Sequence, residues 1–252
     1  MVERDPTIIH LVDLSQLPLN YIQETKGSVL VGATTTIRQI ELSPIFRRPP
    51  LNILYDAVSE FATVQVRNMA SLGGNLCNGI PSADTPPPLI ALDALIAVSG
   101  PQGPQVFPLE KLYRDVRRLS IRKGEVLTEV RIPRHVPKTS GAYLKLGRSQ
   151  VDLALVSAAV RITLGDGGRA GGCRIVLGAV APTPLRARNA EKFLTGRPID
   201  EETVVEAGRV ASLEARPISD IRASADYRRE MVAVLVERAI RVAVSRLGTV
   251  LD

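Results

Sequence analysis

The feature that most constrains the fold is the stretch of residues 65–87, which is rich in glycine and polar residues but also carries apolar residues typical of a protein interior. Such a mixture does not suit a regular core element. The paired glycines Gly73 and Gly74 leave the backbone uncovered, so that several amides could converge on an anion. Ser71 and Asn75 add side-chain donors at the same place. The stretch therefore favours a loop that approaches a ligand closely.

An ordinary turn explains the same residues without any ligand. Asp84 is followed by Thr85 and Pro86, and proline is well tolerated in the first turn of a helix. These residues predict a helix over 87–92, with Asp84 as a plain N-cap in the simpler interpretation. From the residues alone, the anion-binding loop and the turn with a capped helix both remain open.

Composition limits the class of protein. Apolar residues make up 45% and charged residues 23% of the 252 residues, a globular balance that argues against disorder. Trp is absent and aromatic residues make up 4%, so the core must consist of Leu, Val, Ile and Ala. The longest apolar runs are too short for a membrane span, and no signal-peptide pattern is present. Cys77 and Cys173 cannot form a disulfide scaffold, so we predict a cytoplasmic protein.

The formal net charge of +6 comes mainly from arginine, with clusters at residues 114–118 and 222–229. Such clusters are typical of nucleic-acid binding, of a solvated surface, or of a face that meets an acidic partner. No aromatic residues alternate with them, and no nucleic-acid-binding motif is present. We therefore predict no nucleic-acid partner.

Turn and capping signals divide the chain into two parts. The polar, proline-flanked residues 134–138 form a candidate linker between them. We predict an α+β fold with one domain over residues 1–136 and a second over residues 139–248. In the first part we predict strands at 29–31 and 125–132, helices at 36–42 and 51–61, and a hairpin of 95–99 with 105–107.

The second part begins with strands and ends with helices. Residues 158–164 and 173–177 flank a glycine-rich turn and predict a hairpin. Asp200 can cap the next helix, and the final helix follows Ser224. The predicted apolar stripe of that final helix is Tyr227, Met231, Val234, Leu235, Ala239 and Val242. This order predicts a small antiparallel sheet covered by helices.

Most common catalytic sites do not match the residues present. Only His10 and His135 occur, far apart in the sequence, which argues against a histidine-rich metal site. There is no Gly-Lys dipeptide, and hence no Walker-type phosphate loop. The glycines of residues 165–170 match a dinucleotide fingerprint by letter but lead into a strand, so they predict a hairpin turn instead.

Residues 70–75, Ala-Ser-Leu-Gly-Gly-Asn, and residues 82–84, Ser-Ala-Asp, belong to a longer ordered set of motifs. The other members of the set are residues 10–14, 31–33, 65–68, 124–127, 143–146, 152–154, 178–184 and 216–228. The set resembles the FAD-binding medium subunits of molybdenum hydroxylases, the xanthine dehydrogenase and carbon monoxide dehydrogenase flavoproteins, over essentially the whole chain. The resemblance implies a two-lobed, PCMH-like FAD-binding domain followed by the C-terminal domain of the carbon monoxide dehydrogenase flavoprotein.

The resemblance also implies roles for single residues in the glycine-rich loop. Ser71, Leu72, Gly73, Gly74 and Asn75 would form a loop whose amides hold the FAD diphosphate, since a dianion needs several converging donors. We expect valine at position 73 to abolish FAD binding, because its side chain would obstruct the diphosphate.

Further cofactor contacts are implied outside this loop. Asp84 would accept hydrogen bonds from the hydroxyl-bearing part of FAD, and Val126 or Leu127 would pack near the flavin ring. Lys145 would lie near the polar edge of the flavin, where a positive charge favours the reduced, anionic form; the alternative is a surface lysine. Ala62 is a weaker candidate for a backbone contact.

The sequence departs from the family at its start. Members carry a β-α-β segment with another glycine-rich loop before the strand expected at residues 10–14, and here Met1 comes just before that strand. Four explanations stay open: a misplaced gene start, a fragment, a loop supplied by another chain, or lost cofactor binding. For the chain as given, we expect a truncated first domain, weak FAD binding in isolation, and an exposed edge that leads to self-association or to co-purification with the partner subunits. The arginine-rich residues 113–119 replace a segment that often contains glycine in the family, so the role of this segment over the flavin stays open.

The implied function is electron transfer. A molybdenum-cofactor large subunit oxidises a substrate, a small 2Fe-2S subunit passes the electrons on, and the FAD of this subunit delivers them to an external acceptor. We assign no residue of this chain to the hydroxylation itself. The alternative is a flavin-free structural subunit, or a degenerate paralogue, that only docks the partner subunits.

Overall fold

The computed structural model describes residues 10–134 and 136–248, so His135 in the predicted linker lies outside the described residues. The strands, in chain order, are β1 (Ile22–Glu24), β2 (Ser28–Gly32), β3 (Leu95–Ser99), β4 (Gln105–Pro108), β5 (Tyr113–Asp115), β6 (Arg118–Leu119), β7 (Val126–Pro133), β8 (Thr139–Leu146), β9 (Val156–Leu164), β10 (Ala170–Gly178) and β11 (Leu185–Arg186). The helices are α1 (Ile37–Leu42), α2 (Asn52–Ser59), α3 (Val64–Met69), α4 (Leu72–Asn78), α5 (Pro86–Ala91), α6 (Arg188–Leu194), α7 (Glu201–Glu214) and α8 (Ala225–Ser245).

The first sheet is antiparallel, with strand order β1-β2-β7-β3-β4. Its central strand β7 pairs on both sides, so that Val130 lies opposite Val31 of β2 and Ile96 of β3. All three side chains are fully buried, because the helices of this half cover one face of the sheet. The strands and the hairpin predicted for this part are confirmed, as is α1, where Thr36 forms a capping box with Gln39.

The second sheet has strand order β11-β10-β9-β8 and is also antiparallel. The long helix α8 lies across β8 and β9, and α7 packs against α8. A Cβ at Gly208 of α7 would lie 2.7 Å from the carbonyl oxygen of Ala233, so glycine permits the close approach of these two helices. The predicted β9–β10 hairpin and the Asp200 cap of α7 are confirmed, since Asp200 accepts a hydrogen bond from the Thr203 amide at 2.8 Å.

The apolar stripe predicted for α8 is confirmed at Leu235 and Ala239, but elsewhere the buried face of the helix runs through other residues. Tyr227 is 42% exposed. Arg228, although charged, is only 1% exposed, because its guanidinium donates to the Leu155 carbonyl at 2.8 Å and to Asp220 Oδ1 at 2.7 Å. The residues of α8 that are buried are Arg228, Val232, Leu235, Val236, Ala239, Ile240, Ala243 and Val244. The strand expected at residues 10–14 is also wrong, since these residues have no regular secondary structure.

Several ion pairs join the halves of the molecule. Asp56 of α2 accepts two hydrogen bonds from the Arg246 guanidinium, at 2.7 and 2.9 Å. Asp93, after α5, accepts from Arg161 of β9 at 2.7 Å and from Arg174 of β10 at 2.9 Å. The division into domains at residues 136–139 stays a prediction, although β7 and β8 belong to different sheets.

Candidate functional site

A cavity of about 530 Å³ opens beside the N-terminus of α4, a volume within the usual range for small-molecule sites. Its walls come from the residues after β2, the first turn of α4, the β5–β6 ribbon and the start of β7. The lining residues are Leu14, Ala33, Thr34, Ser71, Gly73, Gly74, Cys77, Arg117, Leu119, Ile121, Glu125, Val126 and Leu127. Most of this surface is apolar, with two hydroxyls, a thiol and one charge of each sign. Burial raises the pKa of the Cys77 thiol, so the thiol stays neutral at pH 7.

Ser71 is the N-cap of α4, and its hydroxyl oxygen accepts a hydrogen bond from the Gly74 amide at 3.1 Å. Gly73 lies in the first turn of α4, against the residue that follows β2. A Cβ at Gly73 would lie 2.8 Å from the Ala33 carbonyl oxygen, whereas a Cβ at Gly74 would meet only the movable Ser71 hydroxyl, at 2.9 Å. The close approach at Gly73 is therefore a packing contact within the protein, and the expected reason for its sensitivity to valine is corrected accordingly.

The backbone amides of the α4 N-terminus already have acceptors within the chain. The Leu72 amide donates to the Thr35 carbonyl at 2.9 Å, and the Gly73 amide donates to the Ala33 carbonyl at 2.8 Å. The Gly74 amide donates to Ser71, as described above. The amides expected to converge on an anion are thus not available at these positions, and a contact of this loop with a diphosphate would have to use other donors. The Ser71 hydroxyl can still donate.

Arg117 stands at the turn of the β5–β6 ribbon, in the left-handed backbone conformation with φ +55°. Its amide donates to the Gly79 carbonyl at 2.9 Å, and a Cβ at Gly79 would lie 3.1 Å from the Arg117 Cα. Gly79 itself has φ +62° at the C-cap of α4. Glycine at this position thus lets the ribbon dock on α4, and the docking places Arg117 in the cavity wall. From the sequence, this arginine belonged to a basic cluster of open role, in a segment whose place over the flavin also stayed open.

A second group of polar side chains is buried outside the cavity lining. The Tyr143 hydroxyl donates to Asp84 Oδ1 at 2.8 Å, and Lys145 Nζ lies 3.2 Å from Asp84 Oδ2. Lys145 Nζ also donates to the Glu60 carbonyl at 2.8 Å. The side chains of Lys145 and Asp84 are only 3% and 6% exposed. The interpretation of Lys145 as a surface lysine is therefore wrong.

The same group corrects the plain N-cap interpretation of Asp84. The N-cap of α5 is Thr85, and it makes no side-chain capping bond. Burial raises the pKa of the Asp84 carboxyl, and the Lys145 ammonium and the Tyr143 hydroxyl partly offset this. Burial also raises the pKa of Tyr143 well above its ordinary value, so its hydroxyl remains a donor at neutral pH. Asp84, Tyr143 and Lys145, called the buried cluster below, tie β8 to the segment before α5.

The structure divides the predicted cofactor residues between these two places. The predicted residues that line the cavity are Ser71, Gly73, Gly74, Val126 and Leu127. Leu72 lies in the hydrophobic core, and Asn75 uses its side-chain oxygen to accept from the Thr85 hydroxyl at 2.6 Å. Ala62 has φ +41°, and its carbonyl accepts from the Arg67 guanidinium at 3.1 Å. Asp84 and Lys145 form the ion pair of the buried cluster.

The described part of the chain contains neither a candidate metal cluster nor a membrane-spanning helix. In residues 10–134 and 136–248, no group of three or more His, Cys, Asp or Glu side chains lies in a position to hold a metal ion. None of the helices in those ranges has the length and apolar character that a membrane crossing requires.

Each half of the chain matches a known protein family, and the two families occur in the same kind of protein. Residues 1–135 match the family described as the FAD binding domain in molybdopterin dehydrogenase, and residues 141–243 match the CO dehydrogenase flavoprotein C-terminal domain. The chain is 33% identical over 238 residues to the carbon monoxide dehydrogenase medium chain of Hydrogenophaga pseudoflava, covering 94% of this chain and 82% of that one. It is 30% identical over 243 residues to the xanthine dehydrogenase FAD-binding subunit of Escherichia coli O157:H7, covering 95% and 82%.

The fold agrees with a solved structure as well. A chain of the Cu,Mo-CO dehydrogenase superposes with a TM-score of 0.86 at 34% identity, covering 90% of this chain and 79% of that one. The two family matches, over the two halves with their separate sheets, identify a flavoprotein subunit. The chain belongs to the family of FAD-binding medium subunits of molybdenum hydroxylases. FAD is the cofactor of this family, and its members are subunits of oxidoreductases.

Proposed function

We propose that this chain passes electrons from the 2Fe-2S clusters of a small subunit to an external acceptor, within a complex whose large subunit carries the molybdenum cofactor. The observation that carries the proposal is the cavity of about 530 Å³ in the first domain of a chain of this family. Bound FAD supplies the one- and two-electron chemistry. The protein supplies binding, orientation and shielding from water.

The cavity lining suits an anionic cofactor with a large apolar ring system. Leu119, Ile121 and Leu127 form an apolar wall that would pack against the ring and exclude water from it. The Ser71 hydroxyl offers a donor, and Arg117 offers a positive charge. Four predicted cofactor residues lie outside this lining, and the cavity therefore does not bear on them: Ala62, Asn75, Asp84 and Lys145. Their cofactor roles stay predictions.

The partners and the location belong to the same proposal. Large molybdenum and small 2Fe-2S subunits are the partners that the family assignment supports, with self-association of the isolated chain as a further possibility to test. Cys77 and Cys173 are unpaired thiols, as in proteins of the reducing cytoplasm, where we place the complex.

A second function is favoured by one observation. Because the amides of Leu72, Gly73 and Gly74 are bonded within the chain, the α4 N-terminus is complete without a ligand. A flavin-free subunit that only docks the partner subunits would have this feature.

Co-expression with the two partner subunits separates the functions. The purified complex is examined for the flavin absorbance bands, and the released flavin is identified by chromatography. Electron transfer is then measured as bleaching of the flavin bands by the substrate of the complex and their return with an acceptor. We expect about one FAD per chain and acceptor-dependent recovery. An assembled complex without flavin would support the docking subunit instead, and sedimentation of the chain alone tests self-association.

A further inference from the structure

We propose that a second cavity, called the cavity between the halves below, is a binding site for a small organic anion, an apolar body that carries an acidic group. Its volume is about 320 Å³, within the usual range for small-molecule sites. Pro81, Ser82 and Val116 line it from the first half, and residues of the segments 179–182 and 216–228 line it from the second. The inference goes beyond the proposed function, because it requires neither FAD nor the partner subunits.

The walls of this cavity carry the first step. Apart from Ser82 and three arginines, the described residues that line it are apolar. Two of the apolar residues, Val116 and Ile218, are large side chains that remain exposed to solvent. The Ala179 amide donates to the Pro81 carbonyl at 2.8 Å, which joins the walls of the two halves. An apolar body would therefore enter a preformed site and remove exposed apolar surface from water.

The charges of the lining carry the second step. Arg216, Arg222 and Arg228 line the cavity between the halves, and none of its described lining residues is acidic. Arg222 and Arg228 both donate to Asp220, at 2.6 and 2.7 Å, so a single carboxylate serves two of the three guanidinium groups. The lining and its partner therefore keep a net positive charge, which favours an anionic ligand.

Donors without acceptors carry the third step. Arg216 is exposed, and within residues 10–134 and 136–248 no hydrogen bond or ion pair engages its guanidinium. Its backbone is fixed, because its amide donates to the Val180 carbonyl at 2.8 Å. Arg228 is 1% exposed and bonds to Leu155 and Asp220, which leaves its Nε without a partner in the described chain. A buried N–H without an acceptor is unfavourable, so this wall lacks an acceptor that an acidic group supplies.

The chain offers two matched controls for Arg216. Arg238 of α8 is also exposed and has no partner for its guanidinium among the described residues, but it does not line the cavity between the halves. Arg117 lines the cavity beside α4 instead. Glutamine at any of these positions removes the same charge. A loss of binding confined to Arg216→Gln therefore reports on this cavity, and not on the net charge or on the other cavity.

The test uses the full chain and a pair of fluorescent probes. Anilinonaphthalene sulfonate is an organic anion, and phenylnaphthylamine has the same aromatic body without the sulfonate. Both are titrated against the unmodified chain, Arg216→Gln, Arg216→Lys and the two control variants, and circular dichroism confirms that each variant is folded.

We expect saturable binding of the sulfonate probe, tighter than that of the neutral probe and weaker as the salt concentration rises. Arg216→Gln should weaken the sulfonate probe by about 10- to 100-fold and leave the neutral probe unchanged, because it removes a charge-assisted hydrogen bond. Arg216→Lys should lose less, since lysine keeps the charge. Arg117→Gln and Arg238→Gln should match the unmodified chain.

Four results would overturn the inference. Without saturable binding of the sulfonate probe, the cavity takes no such anion, and equal binding of the two probes would show that the acidic group is not recognised. A loss in Arg117→Gln instead of Arg216→Gln would place the probe in the cavity beside α4. Equal losses in all three glutamine variants would reduce the effect to net charge. None of these results bears on the proposed function, which the flavin content of the assembled complex tests.

Discussion

Two regions contain residues from the same family motifs: the cavity beside α4 and the buried cluster of Asp84, Tyr143 and Lys145. They differ in how many of their polar atoms remain free to form hydrogen bonds with a ligand. In the cavity, the Ser71 hydroxyl and the Arg117 guanidinium can still donate. In the buried cluster, both oxygens of Asp84 have partners, and Lys145 Nζ has two acceptors. A cofactor bound in the cavity would add hydrogen bonds. A cofactor bound at the buried cluster would have to replace hydrogen bonds that already exist.

This difference separates two kinds of sensitivity to mutation. Changes in the buried cluster should act mainly on the stability of the folded chain, because they leave a buried charge without its partner. Changes at partly exposed cavity residues such as Ser71 and Arg117 should weaken ligand binding in addition to any loss of stability. The four predictions below test that separation, from the largest expected effect to the smallest.

The largest effect is expected for Lys145→Met. It removes one partner of a buried ion pair and leaves the Asp84 carboxylate uncompensated, which typically costs about 3–5 kcal/mol. The free energy of unfolding is measured in urea. The control is the double change Lys145→Met with Asp84→Asn, which removes both charges and keeps an oxygen for the Tyr143 hydroxyl; it should recover most of the loss. If Lys145→Met kept full stability but lost FAD binding, the separation would be contradicted. Lys145 would then contact the cofactor instead of stabilising the fold through Asp84.

Gly73 and Gly74 should respond differently to alanine. The Gly73→Ala side chain would press on the Ala33 backbone, and overpacking of this kind costs about 1–3 kcal/mol. The Gly74→Ala side chain meets only the Ser71 hydroxyl, so it costs at most the cap of α4, about 1 kcal/mol, and better helix propensity offsets part of that loss. Thermal unfolding of both variants measures the difference. Equal losses at the two positions would contradict the packing role assigned to Gly73.

Ser71→Ala and Thr63→Ala form a matched pair of cap changes. Both side chains cap a short helix, Ser71 at α4 and Thr63 at α3, so each change should cost about 1 kcal/mol of stability. Only Ser71 lines the cavity. We therefore expect a similar loss of stability in both variants but weaker FAD binding in Ser71→Ala alone, measured by flavin fluorescence. Equal FAD binding by the two variants would remove Ser71 from the site.

The smallest expected effect is a pH-dependent change in the free energy of unfolding. It comes from Asp220 and its ion pair with Arg222, which lie outside both regions. Hydrogen bonds from Arg222, with further ones from backbone amides and Arg228, hold the pKa of Asp220 well below its usual range. A lowered folded-state pKa stabilises the protein above the unfolded value of about 3.9, and this contribution is lost as the pH falls toward the folded value. The stability difference between the unmodified chain and Asp220→Asn should therefore be greatest near pH 7 and shrink below about pH 4.

Asp226 provides a surface control, because its ion pair with Arg229 is at the surface and its side chain is 88% exposed. Urea unfolding of Asp226→Asn at neutral pH should show a stability difference near zero. A stability difference for Asp220→Asn that stays constant down to low pH would contradict the assignment of the stabilising charge to Asp220.

The predictable elements of the fold are those specified by local chemistry. N-cap residues such as Thr36, Asp200 and Ser224 predict the start of a helix. Their side-chain oxygen accepts a hydrogen bond from a backbone amide in the first helical turn, which is close in sequence. The phase of α8 was not predictable in this way. Arg228 lies on the buried face because of Leu155 and Asp220, which are distant in sequence or in the preceding loop, and a hydropathy pattern assigns arginine to the surface.

The candidate site shows the same limit. Ser71, Gly73 and Gly74 stand out in the sequence as a group, and the structure does place them at a cavity. The state of their amides depends on the carbonyls of Ala33 and Thr35, which come from another segment, so it is not visible in the motif. Arg117 enters the cavity only because Gly79 allows the β5–β6 ribbon to dock. An arginine cluster alone carries no signal for that contact.

The ion pairs that join the two sheets have a consequence for cooperativity. Asp56 with Arg246, and Asp93 with Arg161 and Arg174, connect helices of the first half to strands and a helix terminus of the second. Tyr143, Ala159 and Val176 of the second sheet also contribute to the hydrophobic core of the first half. A cut in the linker would therefore expose apolar surface on both fragments. We therefore expect calorimetry of the intact chain to show one melting transition, because the two halves share ion pairs and part of one hydrophobic core.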